Sequence, residues 1–375
     1  MKKIIFVTAT RADYGKLKSI IISVQKLKDF NTHIFVTGMH NLNAYGNTHV
    51  EIIKDRIKNI KIYKNQILAE NADKIFSKTV LGFSKYIKKI KPDLVMIHGD
   101  RMEPLACAIV CCLNNIKIAH FEGGELSGTI DEIFRHAISK LCNIHFVTNS
   151  IAKKRLLQMG ELNDYVFITG SPDVDLILSK NLPSLPIVKK RYNINYSSFI
   201  LAIFHPITTD IKKLKFYINN FIRALELSKE NIILIYPNND LGSDIIIKEY
   251  KKIKNKNILI FPSLRFEYYL TLLKNCKCII GNSSSGIMEA PYYGTPTINI
   301  GNRQNNRANI ASIVNCGYES IEILKCIKEN IFDKKIKKTY FFGRGNSKKK
   351  ILKILNSKKI WKLSNQKQFK DLINI

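Results

Sequence analysis

Short runs of β-branched residues alternate with stretches of helical spacing along this chain, and the alternation occurs in two series. In the first, strands are expected at Lys3 to Thr8, Thr32 to Thr37, Asp93 to His98, Lys117 to Glu122 and His145 to Thr148. Helices are expected at about Gly15 to Asp29, Met102 to Asn114 and Asp131 to Leu141. Continuous apolar strands separated by helices of about 10–15 residues define a parallel sheet covered on both faces. Around residues 180–195 the pattern breaks: Pro183, Pro186 and Lys189-Lys190-Arg191 read as a connector.

The second series has strands at Phe199 to Phe204, Ile232 to Tyr236, Ile258 to Phe261, Cys278 to Ile280 and Thr297 to Ile300. Its helices are expected near Leu214 to Ser228, Arg265 to Lys274, Ser285 to Tyr293 and Ile321 to Asn330. The expectation is α/β: two doubly wound parallel-sheet domains, at residues 1–180 and 190–357, with a final helix at about 358–375 rejoining the first. Open parallel sheets bind ligands at the carboxyl ends of their strands, so the site is expected in the cleft between the domains.

Charge and cysteine usage narrow the function classes. The 375 residues carry 60 Lys and Arg against 30 Asp and Glu, a net +30, which raises the question of nucleic acid. The lysines are scattered among Ile and Asn, and the runs Lys334 to Lys338 and Lys348 to Lys350 lack interleaved aromatics. Attraction of small anions is the better reading, with no nucleic-acid partner. The eight cysteines form no CxxC and mostly sit in apolar segments, as free buried thiols in a reducing compartment do. No metal site is expected. The longest apolar run, Leu105 to Leu113, is about half a bilayer span. Lys2-Lys3 before Ile4 to Val7 imitates a secretory start, but the stretch is short and Arg11 and Asp13 follow it. A cytoplasmic protein without membrane contact is expected.

The polar residues fall at strand ends. Thr8-Ala9-Thr10-Arg11-Ala12-Asp13-Tyr14-Gly15-Lys16 enters a helix, where Arg11 and Lys16 could hold an anion and Asp13 could serve as a cap. No GxGxxG occurs here. His98-Gly99-Asp100-Arg101 ends one strand and His120-Phe121-Glu122-Gly123-Gly124-Glu125 the next. Ser127-Gly128-Thr129-Ile130-Asp131 then opens a helix on which Asp131 and Arg135 share a face. Carboxylates gathered in one half-sheet are equipment for proton transfer. In the second half, His205 and Asn238 each follow a strand. Gly281-Asn282-Ser283-Ser284-Ser285-Gly286 leads from a strand straight into a helix carrying Glu289. Its amides and hydroxyls could cradle a diphosphate, and Glu289 could accept both hydroxyls of a ribose. Arg303 lies in the turn that follows.

The strings TRADYGK, HGDRMEP, HFEGGELSGTIDEIFRHAISKL, HPITTD, YPNNDLG, SLRFEYYLTLLKN and GNSSSGIMEA resemble the hydrolysing UDP-N-acetylglucosamine 2-epimerases of bacterial sialic acid biosynthesis. The match runs in order from residue 5 to about residue 305. Arg101 directly after Asp100, and Thr129-Ile130-Asp131 before Arg135, are similar to the hydrolysing branch. The non-hydrolysing cousins carry a Thr-rich stretch and a Pro-Glu-Glu there. Where the family has Gly-Arg, this chain has Asn306-Arg307.

The resemblance implies a GT-B-like fold, a homodimer or else a tetramer, and conversion of UDP-GlcNAc and water to N-acetylmannosamine and UDP. It implies Asp100, Glu122, Asp131 and His205 as catalytic residues. Arg11, Lys16, Arg101, Arg135, Asn238, Ser283, Ser284, Glu289 and Arg303 would bind the nucleotide sugar. No cofactor is required, because no hydride moves. Relatives acting on diacetamido-trideoxy nucleotide sugars share these motifs.

Overall fold

The computed structural model describes all residues except Ala69, Thr129, residues 331–335, Phe369 and residues 372–375, together with the side chain of Asn330. Thr129 of the SGTID string, Lys334 and Lys335 of the basic run and the last residues of the expected final helix therefore lie outside the described residues. Two compact units are formed: Met1–Glu125 with Asp131–Leu178 and Phe341–Ile375, and Leu126–Ile130 with Ser179–Tyr340.

Unit 1 begins with β1 (Lys2–Thr8), α1 (Arg11–Gln25), β2 (Phe30–Val36), α2 (His49–Lys54) and β3 (Asn59–Ile62). It continues with α3 (Ala72–Ile90), β4 (Leu94–His98), α4 (Met102–Leu113), β5 (Ile118–Phe121) and α5 (Ile130–Leu141). It then has β6 (Ile144–Val147), α6 (Ser150–Gln158), β7 (Val166–Ile168) and α7 (Pro172–Ile177). The sheet order is β3-β2-β1-β4-β5-β6-β7, and every pairing is parallel. Alternation along β1 explains the two-sided burial. Ile4 and Phe6 pack with Leu17, Ile20 and Val24 of α1, whereas Ile5 and Val7 face Phe83 of α3 and Cys107 of α4.

Unit 2 holds α8 (Leu185–Tyr192), β8 (Ile200–Ile203), α9 (Leu214–Leu227), β9 (Ile232–Ile235), α10 (Ser243–Tyr250) and β10 (Ile258–Phe261). These are followed by α11 (Phe266–Asn275), β11 (Ile279–Gly281), α12 (Ser285–Met288) and α13 (Ala290–Tyr293). The series closes with β12 (Thr297–Ile300), β13 (Ile313–Cys316) and α14 (Ser320–Asn330). Its parallel sheet runs β10-β9-β8-β11-β12-β13, with Phe204, Phe221, Leu234 and Ile280 in one core.

Three expectations are corrected. The stretch read as a connector contains α8, because Pro186 occupies a first-turn position where no amide donor is missed, and Val188 is buried. The expected helix Ser285 to Tyr293 is split at Glu289 into α12 and α13. Pro291 cannot donate to the carbonyl four residues earlier, and its ring crowds that carbonyl. The chain rejoins unit 1 at Phe341, earlier than residue 358. The Ser171 amide donates to the Phe342 carbonyl at 2.7 Å, and α15 (Ser347–Leu355) buries Ile351 and Leu355 among the α1 residues. A short α16 (Lys359–Lys362) follows, and its Trp361 lies 5.8 Å from the Phe30 ring.

All eight cysteines are free, with Cys112 exposed and Cys276 and Cys326 half-buried. No helix among the described residues is long and apolar enough to cross a membrane.

Candidate active site

In both sheets the strand order reverses once, between β1 and β4 and between β8 and β11. A crevice opens at the carboxyl ends of the strands at such a reversal. The loops carrying the sequence motifs leave those strand ends.

After β1, Asp13 closes a capping box: its amide donates to the Thr10 hydroxyl at 3.2 Å and its carboxylate accepts the Thr10 amide at 3.0 Å. The Thr8 hydroxyl donates to Asp13 at 2.6 Å, so its oxygen accepts from His40 Nε2 at 2.9 Å. His40 Nδ1 then accepts from the Thr48 hydroxyl at 2.7 Å. Arg11 pairs with Glu51 of α2 at 2.8 Å. Lys16, buried in the second turn, sets its ammonium 3.4 Å from Glu122 and 3.5 Å from Asp173.

At the end of β4, Gly99 takes a positive φ of 78°, and its amide donates to the Phe121 carbonyl of β5 at 3.2 Å. Next in the chain, Asp100 accepts a hydrogen bond from the Arg135 guanidinium. Arg135 is 1% exposed and also donates to the Glu125 carbonyl at 3.1 Å. Arg101 Nε lies 3.5 Å from Glu103. His120 donates from Nε2 to the Gly99 carbonyl at 2.7 Å and accepts from the Ser139 hydroxyl at Nδ1, 3.1 Å. Burial pushes the His120 imidazole down to about 3, so this strut is neutral.

Glu122 has a φ of 64°, outside the usual range for a side chain of its size. It accepts from the Ser171 hydroxyl and lies 3.3 Å from His98 Nε2. Burial acts to raise its pKa, but Lys16, His98 and Ser171 together outweigh burial and hold it well below the usual carboxylate range. Asp131 stands half-buried in the first turn of α5, four residues before Arg135.

In unit 2, Asn282 is the hub. Its Oδ1 accepts the His205 amide at 2.6 Å and its Nδ2 donates to the His205 carbonyl at 2.9 Å. The His205 ring accepts the Asn238 amide at Nδ1, 3.0 Å, and the Asn238 side chain donates to Asp240. Arg303 and Gln304 donate to the Asn282 carbonyl at 3.4 and 3.1 Å. Arg307 reaches Gln304 at 3.2 Å, and the Gly128 amide donates to the Arg303 carbonyl at 3.0 Å.

The Ser283 hydroxyl accepts the Ser285 amide at 3.3 Å. Ser284 begins the single turn of α12 and Glu289, buried, ends it. The Ser285 hydroxyl bonds Tyr269, whose own hydroxyl is pushed up by burial and then by the Glu289 charge. A turn this short supplies individual amides rather than a long-helix dipole.

The structure thus joins Asp100 with Arg135, Glu122 with Lys16, and His205 with Asn238. Asp131 is tied to the first pair through α5. Sequence reasoning missed His98, Ser171, Asp173, His120 and Asn282. His120 turns to Ser139 of α5 while Glu122, with its positive φ, turns to Lys16 of α1, so their spacing in the sequence carries no signal; Ser171-Pro172-Asp173 reads only as a helix start.

Residues 23–356 match the model of the UDP-N-acetylglucosamine 2-epimerase family. The chain is 42% identical to the UDP-N-acetylglucosamine 2-epimerase of Neisseria meningitidis serogroup B, over 99% of this chain and 100% of that one. It is 34% identical to the UDP-N,N'-diacetylbacillosamine 2-epimerase (hydrolyzing) of Legionella pneumophila, over 95% and 96%. Among solved structures, the Methanocaldococcus jannaschii UDP-GlcNAc 2-epimerase in complex with UDP-GlcNAc and UDP superposes with a TM-score of 0.80 at 24% identity, covering 95% of this chain and 99% of that one. Two Rossmann-type sheets of this kind make a GT-B-like protein. The chain belongs to the UDP-N-acetylglucosamine 2-epimerase family.

Proposed function

We propose that the chain is a hydrolysing UDP-GlcNAc 2-epimerase, converting UDP-GlcNAc and water to N-acetylmannosamine and UDP, the first step of sialic acid biosynthesis. The observation that carries this reading is the emergence of Asp100 and Glu122 from adjacent strands, each held by a buried cation, Arg135 and Lys16. The 42% identity to the Neisseria enzyme and the family motifs support the substrate.

Loss of the C2 proton and expulsion of UDP from C1 give a 2-acetamidoglucal. Water adds at C1 while a proton returns to C2 from the opposite face. Inversion therefore needs acid–base groups on both faces of the ring, the role assigned to Asp100, Glu122 and Asp131. Arg11, Arg101, Ser283, Ser284 and Arg303 would stabilise the departing diphosphate. Glu289 would hold the ribose, and His205 with Asn238 would lie by the diphosphate or sugar. The group lost and regained is a proton, so the reaction calls for no redox cofactor.

The Legionella relative, named for the UDP-linked sugar, favours a second reading: hydrolytic 2-epimerisation of a 2,4-diacetamido-2,4,6-trideoxyglucose linked to UDP or, as an alternative nucleotide, GDP. A panel of these nucleotide sugars, with product analysis by NMR, separates the two. Preferential turnover of UDP-GlcNAc to free N-acetylmannosamine is expected; preference for a diacetamido substrate supports the second reading.

A further inference from the structure

The buried group around Glu122 contains more titratable residues than holding one carboxylate requires. Lys16 comes from α1, His98 from the end of β4, Glu122 from the end of β5, and Ser171 and Asp173 from the start of α7. Lys16 sits 3.4 and 3.5 Å from the two Glu122 oxygens and 3.5 Å from Asp173 Oδ2. Asp173 is 1% exposed, and its Oδ1 has no hydrogen-bond partner among the described residues. One ammonium therefore faces two carboxylates, a formal charge of −1 with His98 neutral. The nearby His120 is neutral and bonded to Gly99, and the Arg135 charge is matched by Asp100.

Glu122 is poorly placed to act as a base itself. Its oxygens already face Lys16, Ser171 and His98. A carboxylate so surrounded binds protons weakly, whereas a general base works best with an affinity matched to the operating pH. His98 Nε2 is buried, lies 3.3 Å from Glu122 Oε2 and makes no hydrogen bond among the described residues. A carboxylate this close favours the tautomer with its proton on Nε2, which leaves the Nδ1 lone pair as acceptor.

We propose that His98 and Glu122 act as one proton-transfer dyad, the imidazole taking the C2 proton while Glu122 orients the ring and balances the charge it gains. The proposal rests on the epimerase reading above and adds to it a base that the carboxylate set lacks. In the step, the C2–H bond breaks and its proton goes to His98 Nδ1. The electron pair forms the C1=C2 bond, and the C1–O pair leaves with UDP. The cluster passes from a formal −1 to neutral, so the protonated imidazole is stabilised where it forms. Asp100 or Asp131 then protonates C2 from the other face as water adds its hydroxide at C1, the water's proton restores that acid, and His98 returns its proton to solvent. In this scheme the base role that the carboxylate set gives to Glu122 passes to His98, Asp100 or Asp131 remains the acid, and Glu122, Lys16, Ser171 and Asp173 are positioning residues.

The test is the pH dependence of kcat/KM for UDP release from UDP-GlcNAc. Wild type is expected to lose activity on acidification above about pH 5, as the base takes up its proton before the substrate can supply one. His98→Gln keeps an N–H donor towards Glu122 but cannot accept the proton. It should lower kcat at least about 100-fold and abolish that acid limb while UDP still binds. Asp173→Asn removes one formal negative charge, and should move the limb to lower pH by about half a unit or more. A wild-type rate flat down to pH 5, a His98→Gln enzyme that keeps the limb, or a limb unmoved in Asp173→Asn each overturns the dyad. Should His98→Gln not fold, the wild-type and Asp173→Asn profiles decide alone. A wild-type chain that releases no UDP from UDP-GlcNAc overturns the epimerase reading, and the dyad with it.

Discussion

The Arg135 guanidinium, from the second turn of α5, donates to the Asp100 carboxylate at the end of β4. Arg135 is almost fully buried, and it also fastens the Glu125 carbonyl. One side chain thereby ties the helix bearing Asp131 to the strand end bearing Asp100. Arg135→Met removes the guanidinium that Asp100 accepts from, and removing one partner of a buried pair costs about 3–5 kcal/mol. The expected result is a lowered thermal midpoint together with a kcat loss of at least about 100-fold. An unchanged midpoint and rate would remove the pair from the account.

Gly281 allows the β11 end to approach β8. Its φ is 131°, and a Cβ there would stand 1.8 Å from the Ile203 carbonyl oxygen, a rigid backbone atom. Gly281→Ala must displace the strand from which the Asn282 hub and the serine loop emerge. A loss on the order of 4 kcal/mol is expected in urea denaturation. A variant as stable as wild type would show that β11 can shift without cost.

Glu289 is assigned to the ribose, so its effect should depend on the hydroxyls. Glu289→Gln is expected to weaken UDP binding by about tenfold, the value of one charge-assisted hydrogen bond. It should leave the binding of 2',3'-dideoxy-UDP unchanged. Calorimetry with both ligands checks this, and equal losses for the two would place Glu289 elsewhere.

His40 links stability to pH. Burial pushes its imidazole down to about 4, more than the Asp13 charge raises it, against about 6.5 in an unfolded chain. As pH falls, the unfolded state takes up the proton first. The contribution is therefore full above about pH 6.5 and is lost towards pH 4, a change of about 3 kcal/mol. His120, pushed down to about 3, acts in the same sense. Urea midpoints should fall more steeply over this range in wild type than in His40→Gln. Parallel slopes would contradict the assignment.

The two doubly wound sheets were legible because strands buried on both faces read as unbroken apolar runs. Ile4 to Val7 and Leu94 to Ile97 pack on opposite faces by turns. The strand at Asn59–Ile62 was not, since it is half-buried and polar at alternate positions. The loop carboxylates were visible from their places after strands, but their partners were not. Ser171 and Asp173 reach Glu122 and Lys16 from about fifty residues further on or more, through the register of a sheet rather than through spacing. Asn282 was passed over in favour of the serines beside it, because a hub that bonds a distant backbone leaves no local pattern. The return at Phe341 was missed because it depends on which apolar face α15 can cover.

Turnover in deuterated water tests the central proposal most directly. If the chain eliminates UDP and rehydrates the glycal, the product is free N-acetylmannosamine carrying deuterium at C2, with UDP released in equal amount. Recovery of UDP-N-acetylmannosamine, or of N-acetylmannosamine with the original hydrogen at C2, would contradict it.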